Sequence, residues 1–414
     1  MIILCKKGKR YLKTLLFAPE TFNLAETTRM IEVAKTFKEE ANCIFIGYST
    51  EFSYLIEKEG FTFNLLTPYL SNKQIKEIMA FDQGKSLKNP FNYSLLKERI
   101  ESEISIINQI NPDAIIIGST ISLLISARHK KIPLIYVKPF ALSRGHIESN
   151  SFLKNNIMRK TIQSIALKIK WLPKDMKKLI EEYQVTRFFP YTIDALDADL
   201  NCITTPDIFT NYAKLPKNSH YVGPIFANLD SPIPEKVYEL LKQNKKPTIF
   251  CSLGSSANTK IVYQVLQNFS GLDVEVISPM KYFLSDDQIN SLPSNVHLFD
   301  WLPAKEIQSQ VTASVLHGGE GTIQTACVSG KPFIGIGLQT EQRYNISTCA
   351  SYGNALNYKS SKIKNKKIFQ QCVLELLSQE NLYHKAQTLK NYFDKEKNGT
   401  LKTYQLINSY LSKN

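Results

Sequence analysis

The chain has 414 residues, of which 43% are hydrophobic and 21% are charged. This length predicts two or three domains, each long enough to bury its own core, and the composition excludes a disordered or fibrous chain. The net charge of +14 suits nucleic acid, an anionic membrane surface or an anionic small ligand. Because the sequence carries no nucleic-acid-binding module, we expect no nucleic acid as partner.

The sequence also limits where the protein works. No apolar run reaches the roughly 18 residues that a membrane-spanning helix needs, and the first residues lack the order of regions typical of a secretory signal. The seven cysteines are scattered, odd in number and without a CxxC pair. We therefore expect a cytoplasmic protein with reduced thiols, no disulfide frame and no bound metal.

Short apolar runs alternate with helical patterns through the first half of the chain. The predicted strands are Thr14–Phe17, Cys43–Ile46, Phe61–Leu66, Ala114–Ile117 and Leu134–Val137, with helices over Thr28–Phe37 and Ser122–His129. A second set of predicted strands comprises Thr248–Cys251, Val274–Ile277, Ala313–Leu316 and Phe333–Ile336. Continuous apolar strands joined by helices predict parallel sheets covered on both faces. The proline-rich segment Tyr221–Glu235 separates the two sets and predicts a linker.

This pattern predicts the α/β fold class, with two doubly wound, Rossmann-like domains facing across a cleft. One segment of the first domain is unusually basic. From Lys154 to Arg187, nine Lys or Arg stand against three acids, with isoleucines at roughly helical spacing. Such a stretch is typical either of a solvated helix face or of a helix that lies on an anionic membrane.

The segment from Phe299 to Tyr358 carries the residues with the clearest chemistry. A predicted strand runs into His317-Gly318-Gly319, and a helix is expected to begin at Gly321-Thr322. A glycine-rich turn at a helix start lets a diphosphate reach free N–H groups and the positive end of the helix dipole. Trp301 offers a flat face for a nucleobase. Glu341 and Gln342 follow the next strand, at the same sheet edge, where they can bind sugar hydroxyls.

The combination of WLP, HGGxGT, GxP and an acid-Gln pair resembles the donor-binding signature of the family-one glycosyltransferases over about 60 residues. The resemblance implies a GT-B fold with an acceptor-binding domain over residues 1–220, a linker over 221–235, a nucleotide-sugar-binding domain over 236–390 and a C-terminal helix over 391–414 that crosses back to the first domain. It implies donor contacts from one set of residues: Gly254, Ser255, Trp301, His317, Gly318, Gly319, Gly321, Thr322, Thr325, Glu341 and Gln342.

Two positions depart from the family pattern. Many members carry a catalytic His at the start of the first helix, paired with an Asp, whereas Glu26 stands there and Gly118-Ser119 occupies the region of the Asp. Glu26 is therefore our first candidate for the base, provided that burial raises its pKa and that Arg29 does not lower it. His146 is the second candidate. At Thr325 many members carry a Glu that holds the ribose, and Thr resembles members that use thymidine-diphosphate sugars.

These residues predict an inverting, metal-independent glycosyltransferase that needs no cofactor besides a UDP- or TDP-sugar as co-substrate. The expected acceptor is a small lipophilic molecule, and the basic segment leaves a membrane lipid, and a membrane-peripheral location, as the alternative. Two further hypotheses belong to other classes. One is a nucleotide-sugar epimerase, and the other is a non-catalytic nucleotide-sugar-binding partner of another enzyme, which the missing His–Asp pair motivates.

Overall fold

A computed structural model of the chain describes residues 12–82, 86, 88–149, 165–210, 212–227, 232–243, 245–254, 257–395 and 398–413. These residues form two compact units. Unit 1 comprises the described residues up to 227 together with 398–413, and unit 2 comprises the described residues from 232 to 395.

Unit 1 is built on a seven-stranded parallel sheet. Its strands are β1 (Lys13–Ala18), β2 (Ala41–Gly47), β3 (Thr62–Leu65), β4 (Ala114–Ile117), β5 (Leu134–Lys138), β6 (Leu200–Ile203) and β7 (Ser219–Tyr221). Its helices are α1 (Leu24–Lys35), α2 (Ser53–Lys58), α3 (Asn72–Asp82), α4 (Tyr93–Ile110), α5 (Leu123–Lys130), α6 (Arg144–Ser149), α7 (Lys174–Glu182) and, from the end of the chain, α16 (Gly399–Lys413). The strand order is β3-β2-β1-β4-β5-β6-β7.

Helices cover this sheet on both faces, which is why the central strand β4 is apolar at every position. Along β1, Leu15 and Phe17 point into one core, which α1 and α16 complete, whereas Leu16 and Ala18 point into the other, which α4 and α5 complete. Alternate strand residues point to opposite faces, so a strand buried on both sides shows a continuous apolar run.

The C-terminal helix α16 packs on unit 1. Its Tyr404 ring lies 4.9 Å from that of Phe37. The first residue of the helix, Gly399, approaches the backbone so closely that a Cβ there would lie 2.2 Å from the carbonyl oxygen of Pro224. A glycine is therefore required where this helix begins.

Unit 2 carries a six-stranded parallel sheet of order β10-β9-β8-β11-β12-β13. Its strands are β8 (Thr248–Ser252), β9 (Glu275–Ser278), β10 (Val296–Leu298), β11 (Ala313–Leu316), β12 (Phe333–Gly335) and β13 (Ala355–Asn357). Its helices are α8 (Glu235–Gln243), α9 (Thr259–Gln267), α10 (Asp286–Asn290), α11 (Ala304–Gln308), α12 (Glu320–Ser329), α13 (Thr340–Tyr352), α14 (Lys366–Ser378) and α15 (Glu380–Lys395).

The fold class is confirmed: both units are parallel-sheet α/β domains. The predicted start of the first helix was wrong, because α1 begins at Leu24, four residues before Thr28, with the Asn23 side chain capping it by accepting from the Glu26 N–H. In each sheet the strand order reverses between two neighbours, β1 and β4 in unit 1 and β8 and β11 in unit 2. The carboxyl ends of such strands form the crevice where ligands of doubly wound domains bind.

Candidate functional site

In unit 2, the imidazole of His317 lies at the point where the strand order reverses. His317 directly follows β11, and its ring packs against Gly254, which follows the neighbouring β8. A Cβ at Gly254 would lie 2.5 Å from the imidazole Cε1, and Gly254 has a positive φ of 61°. Only glycine tolerates both the contact and the conformation without strain. The sequence motif therefore forms a cradle in which one glycine makes room for the imidazole.

The His317 imidazole is neutral near pH 7. Burial lowers the pKa of His317 to about 4, and the nearby Ser252 carbonyl acts in the opposite direction. The Nδ1 atom of the ring has no hydrogen-bond partner among the described residues. His317 is therefore held in place by packing and by the Ser252 carbonyl, and its unpaired Nδ1 atom is buried.

The turn after His317 leads directly into the N-terminus of α12. Gly318 adopts a φ of 91°, and Gly319 is the N-cap residue. The Ile323 N–H is the first to bond within the helix, to the Gly319 carbonyl at 3.0 Å. The preceding N–H groups, including those of Gly321 and Thr322, have no intrahelical acceptor and lie at the positive end of the helix dipole. A Cβ at Gly321 would meet no atom within 4 Å, so the approach to these groups is open.

Asn345 connects this turn to helix α13. Its side-chain amide donates to the Gly318 carbonyl at 3.0 Å and to Glu341 Oε1 at 2.9 Å. The exposed Glu341 carboxylate is thereby oriented from the same helix face, one turn away. The structure thus links the HGG turn to Glu341 through Asn345. The bridging role of Asn345 could not be predicted from sequence spacing alone.

Gln342 has a structural task at the start of α13. Its side-chain oxygen accepts from the backbone N–H groups of Leu338 and Gln339, at 3.0 and 3.2 Å, in a capping box. The side chain is only 3% exposed. The oxygen that the sequence assigned to a sugar hydroxyl is therefore engaged in ending the β12–α13 loop.

The remaining predicted donor contacts lie around the same edge. Trp301 follows β10 and its side chain is 42% exposed, so one face of the ring is accessible. Thr325 lies one turn below Gly321 on α12 and donates its hydroxyl hydrogen to the Gly321 carbonyl at 2.8 Å. Ser255 lies outside the described residues.

In unit 1, the carboxylate of Glu26 lies at the equivalent reversal point. Its Oε1 accepts from the backbone N–H groups of Glu20 at 2.9 Å and Ser119 at 2.7 Å, and its Oε2 accepts from the Ser119 hydroxyl at 2.5 Å. A Cβ at Gly118 would lie 1.9 Å from Oε1, so glycine is required there. Glu26 and Gly118-Ser119, which stand where the family's His and Asp are expected, are in direct contact.

Burial raises the pKa of Glu26 above its usual value; the three hydrogen bonds that it accepts lower it, and the nearby charge of Glu20 raises it further. Burial therefore shifts the pKa of Glu26 in the direction that a carboxylate base requires. Ser119, which binds both carboxylate oxygens, is more exposed than the buried Glu26.

A buried charged network supports the loop that holds Glu26. Glu20, whose N–H binds Glu26, forms a two-fold ion pair with Arg99 at 2.7 and 3.2 Å. The Arg99 guanidinium lies 4.0 Å from the centre of the Tyr48 ring, and the Tyr48 hydroxyl donates to Glu103 at 2.7 Å. Both Arg99 and Glu103 are fully buried.

Sequence reasoning missed this network, although α4 carried a signal for it. Arg99 and Glu103 are spaced by four residues on the helix face that also presents Leu96, Ile100 and Ile107 to the core. Oppositely charged residues on an apolar helix face are rarely buried unless they are paired. Ser122 and Ser126 of α5 complete the hydrogen bonds of Glu103 at 2.5 and 2.6 Å, and burial raises the pKa of Glu103 to about 7.

His146, the second candidate for the base, lies in the core of unit 1. It is 5% exposed, and its ring packs edge-on against Phe140 with the ring centres 5.2 Å apart. Burial lowers the pKa of His146 to about 4. An acceptor hydroxyl cannot reach such a ring without rearrangement, and a base with this pKa is weak at neutral pH.

Comparison with known proteins finds glycosyltransferases. Residues 263–396 match the model described as "Erythromycin biosynthesis protein CIII-like, C-terminal domain". The chain is also 22% identical over 405 residues to a PGL/p-HBAD biosynthesis rhamnosyltransferase of Mycobacterium bovis, covering 94% of this chain and 86% of that protein. The chain is a glycosyltransferase, and these matches support its resemblance to the family-one glycosyltransferases.

Solved structures of glycosyltransferases share its fold. The glycotransferase of kitacinnamycin matches with a TM-score of 0.71 and 15% identity, covering 96% of this chain and 98% of that one. The glycosyltransferase VinC, solved in complex with DTDP, matches with a TM-score of 0.69 and 14% identity, covering 96% and 99%. This glycosyltransferase therefore has the GT-B fold that the motif resemblance implied.

Two further findings concern the described part of this glycosyltransferase. None of its helices there is long and apolar enough to cross a membrane. The six cysteines within the described ranges are free thiols, and Cys5 lies outside these ranges.

Proposed function

We propose that the enzyme transfers a hexose from a nucleoside-diphosphate sugar to a small lipophilic acceptor, with inversion and without a bound metal ion. The observation that carries the proposal is the cradle around His317, beside the open N-terminus of α12. A diphosphate leaving group gains negative charge as its bond to the sugar breaks. Fixed N–H donors, the helix dipole and a neutral imidazole would stabilise that charge in place of a metal.

The proposed donor contacts follow from the position of each group and from the hydrogen bonds that it makes. The N–H groups of Gly321 and Thr322, with His317, bind the diphosphate, and the accessible face of Trp301 stacks on the base. Glu341, oriented by Asn345, accepts from sugar hydroxyls. Gln342 is left out of this assignment because its oxygen caps α13.

Of UDP and TDP, we propose TDP as the nucleotide. Thr325 stands where a carboxylate would hold two ribose hydroxyls, and its own hydroxyl hydrogen goes to the Gly321 carbonyl. A deoxyribose, which lacks one of those hydroxyls, suits this position. Two findings on similar proteins agree: VinC was solved with DTDP, and the relative that matches 94% of this chain is named a rhamnosyltransferase.

For the proton, we propose a relay from the acceptor through Ser119 to Glu26. As the acceptor oxygen bonds to the anomeric carbon, its proton moves to Ser119 Oγ, while the Ser119 hydroxyl proton moves to Glu26 Oε2. The bond between the anomeric carbon and the phosphate oxygen breaks on the opposite face, and its electron pair stays on the diphosphate. The 2.5 Å contact between Ser119 Oγ and Glu26 Oε2 supports this order, and the raised pKa makes Glu26 a stronger base.

A second candidate function is donor binding without transfer, in which the protein assists a partner enzyme. It is favoured by one observation: Glu26 already accepts three hydrogen bonds from its own chain. A carboxylate with these three hydrogen bonds could have a purely structural role at the edge of the sheet. The two functions share the donor site and differ in turnover.

Thermal-shift titration with TDP, UDP and GDP tests the donor site first. A ligand at a hundred times its Kd that binds only the folded state stabilises it by about 2.7 kcal/mol. We expect stabilisation by TDP above that by UDP or GDP. The His317→Ala variant should lose most of the effect, whereas replacing the exposed His384 of α15 by Ala should leave it unchanged.

The outcomes separate the proposals. No stabilisation of the parent by any of the three nucleotides contradicts the donor site. Stabilisation by TDP with no transfer to a panel of lipophilic phenols and alcohols, using TDP-hexoses, supports the non-catalytic function instead. Equal stabilisation by TDP and UDP removes the argument from Thr325.

A further inference from the structure

A short segment of unit 1 exposes three large apolar side chains close together. Trp171 is 68% exposed, Ile165 is 60% exposed and Ile169 is 40% exposed. Single exposed apolar residues are normal on a protein surface, but a contiguous group usually marks an interaction site. We call these three residues the Trp171 surface.

The backbone of this segment is anchored to the rest of unit 1. The Thr192 N–H donates to the Ile169 carbonyl at 2.7 Å, and the Thr192 hydroxyl donates to the Trp171 carbonyl. The adjacent Leu172 packs against the core. Because its neighbour points inward and its own carbonyl is bound, Trp171 is held outward by a fixed backbone.

The expectation of a basic helix face within Lys154–Arg187 stays a prediction, because the structure describes only part of that segment. Residues 154–164 lie outside the described residues. The helix that the structure shows in this segment, α7, buries its apolar face of Met176, Leu179 and Ile180 in the core. The apolar groups available to a partner are therefore those of the Trp171 surface, which precedes α7.

Lysines lie next to the residues of the Trp171 surface in the sequence. Between residues 165 and 178 the sequence has five lysines and one acid, a local charge of +4. All five lysines are exposed, and the single acid, Asp175, accepts a hydrogen bond from the Tyr93 N–H at 3.1 Å. Lys170 and Lys178 lie over the rings of Tyr191 and Tyr93, at 5.7 and 3.9 Å from the ring centres.

We propose that the Trp171 surface docks on the headgroup region of an anionic lipid bilayer. A tryptophan ring prefers the boundary between headgroups and acyl chains, lysines keep their ammonium groups in water while their stems lie along apolar surface, and each basic group near anionic lipid strengthens binding roughly fivefold. Three side chains are too few for a stable protein interface, which buries about 800 Å² per partner. The inference does not depend on the proposed function.

The two tryptophans of the chain make the test direct, because one lies in each unit. In a full-length Trp301→Phe variant, Trp171 is the only tryptophan. We expect its emission to shift to shorter wavelength on titration with phosphatidylglycerol vesicles and to stay unchanged with phosphatidylcholine vesicles. The shift should weaken as salt is added, since the charges are exposed.

Vesicle co-sedimentation then compares variants of the full chain. Trp171→Ser and the double change Lys168→Glu with Lys170→Glu should each lower the partition coefficient at least tenfold. The matched control is Leu374→Ser in unit 2, which removes an apolar side chain that is 56% exposed. It should bind vesicles like the parent. Unchanged melting temperatures identify variants that remain folded.

Three results would overturn the proposal: no vesicle binding by the parent, equal binding of anionic and neutral vesicles by all variants, or a loss in Leu374→Ser as large as in Trp171→Ser. A self-association that disappears in Trp171→Ser, without vesicle binding, would assign the surface to a second copy of the chain instead. Nucleotide stabilisation, measured separately, shows that failure here leaves the donor site untouched.

Discussion

At the reversal point of each sheet a side chain packs against a glycine, but the two side chains differ in chemistry. In unit 1, α1 sends the Glu26 carboxylate into the space beside Gly118, after β4. In unit 2, the chain after β11 places the His317 imidazole in the space beside Gly254, after β8. One point is closed by an acid bound to its own chain, whereas the other presents a neutral ring and free N–H groups to the outside.

The difference shows how two sheets of the same type can suit two different chemical roles. A buried carboxylate with a raised pKa suits the uptake of a proton, and a helix N-terminus without intrahelical acceptors suits an anion. Glycine is essential in both places, but for different partners: it admits a side chain of unit 1 at Gly118 and a side chain of unit 2 at Gly254.

The largest effect is expected at the unit 1 point, from Glu26→Gln. Glutamine keeps the shape and an oxygen for the Glu20 and Ser119 N–H groups, but cannot take up a proton. Transfer should fall by roughly 10²–10⁴-fold, the usual contribution of a general base, with nucleotide affinity unchanged. Initial rates and TDP titrations measure the two quantities.

Ser119→Ala is the companion variant, since it removes the relay and leaves the carboxylate. A loss of transfer comparable to that of Glu26→Gln supports the relay. Full activity in Ser119→Ala, with loss in Glu26→Gln, would show that Glu26 takes the proton directly. Full activity in both would remove the base from this point altogether.

The buried acid behind Glu26 makes unit 1 sensitive to pH. The folded pKa of Glu103, about 7, lies above its ordinary value of 4.5, so the folded state binds the proton more tightly. This stability is present at low pH and is lost as the pH rises through 7. Since one pKa unit corresponds to about 1.36 kcal/mol, the free energy of unfolding of the parent relative to Glu103→Gln should fall by on the order of 2 kcal/mol between pH 5 and 8.

Denaturant titrations at several pH values provide the check. The buried histidines, whose pKa values are lowered to about 4, contribute the opposite dependence below pH 6.5. They contribute it equally to both proteins, so the difference isolates Glu103. A difference that stays constant across this range would contradict the assignment.

The unit 2 point is tested by a pair of glycine changes. Gly254→Ala places a Cβ 2.5 Å from the imidazole at a positive φ, and should lower the free energy of unfolding by about 2 kcal/mol and weaken TDP binding. Gly321→Ala meets no atom within 4 Å and should stabilise the helix by about 0.5–1 kcal/mol. Melting curves with and without TDP separate stability from affinity.

If the affinity for TDP is unchanged in Gly254→Ala, binding of the diphosphate does not depend on the position of His317. In Gly321→Ala, a loss of TDP affinity despite raised stability would place the ligand directly against the helix N-terminus.

The smallest effect is expected from Asn345→Ala, which removes the bridge between the Gly318 carbonyl and Glu341. Two hydrogen bonds at about 0.5–1.5 kcal/mol each, partly replaced by water, predict a several-fold weaker affinity for a TDP-sugar. Affinity for TDP itself should change less, because Glu341 is proposed to bind the sugar. Equal losses for both ligands would place Asn345 in support of the diphosphate turn alone.

Much of this could be predicted from the sequence because the signals were local. Continuous apolar strands indicated parallel sheets, and the HGG turn indicated a helix N-terminus. The short strands β7, β10 and β13, of three residues each, were missed because SHY, VHL and ALN carry no apolar run.

Contacts between residues that are distant in sequence could not be predicted from such local signals. Glu26 and Ser119 are 93 residues apart, and Glu20 and Arg99 are 79 apart. No periodicity relates such pairs, which are joined only when β1 and β4 become neighbours. Gln342 shows the converse, because its side-chain oxygen accepts from the nearby backbone N–H groups of Leu338 and Gln339.

The path of the chain through unit 1 bears on how the protein is made. Residues 12–227 and the helix α16 share one core, in which Ile407 is fully buried, yet all of unit 2 is translated between them. Because domains generally fold as units while they are synthesised, unit 2 has its whole sequence available before unit 1 does. The residues of α16 must therefore leave the ribosome before the apolar face of α1 is covered, so unit 1 is completed after unit 2.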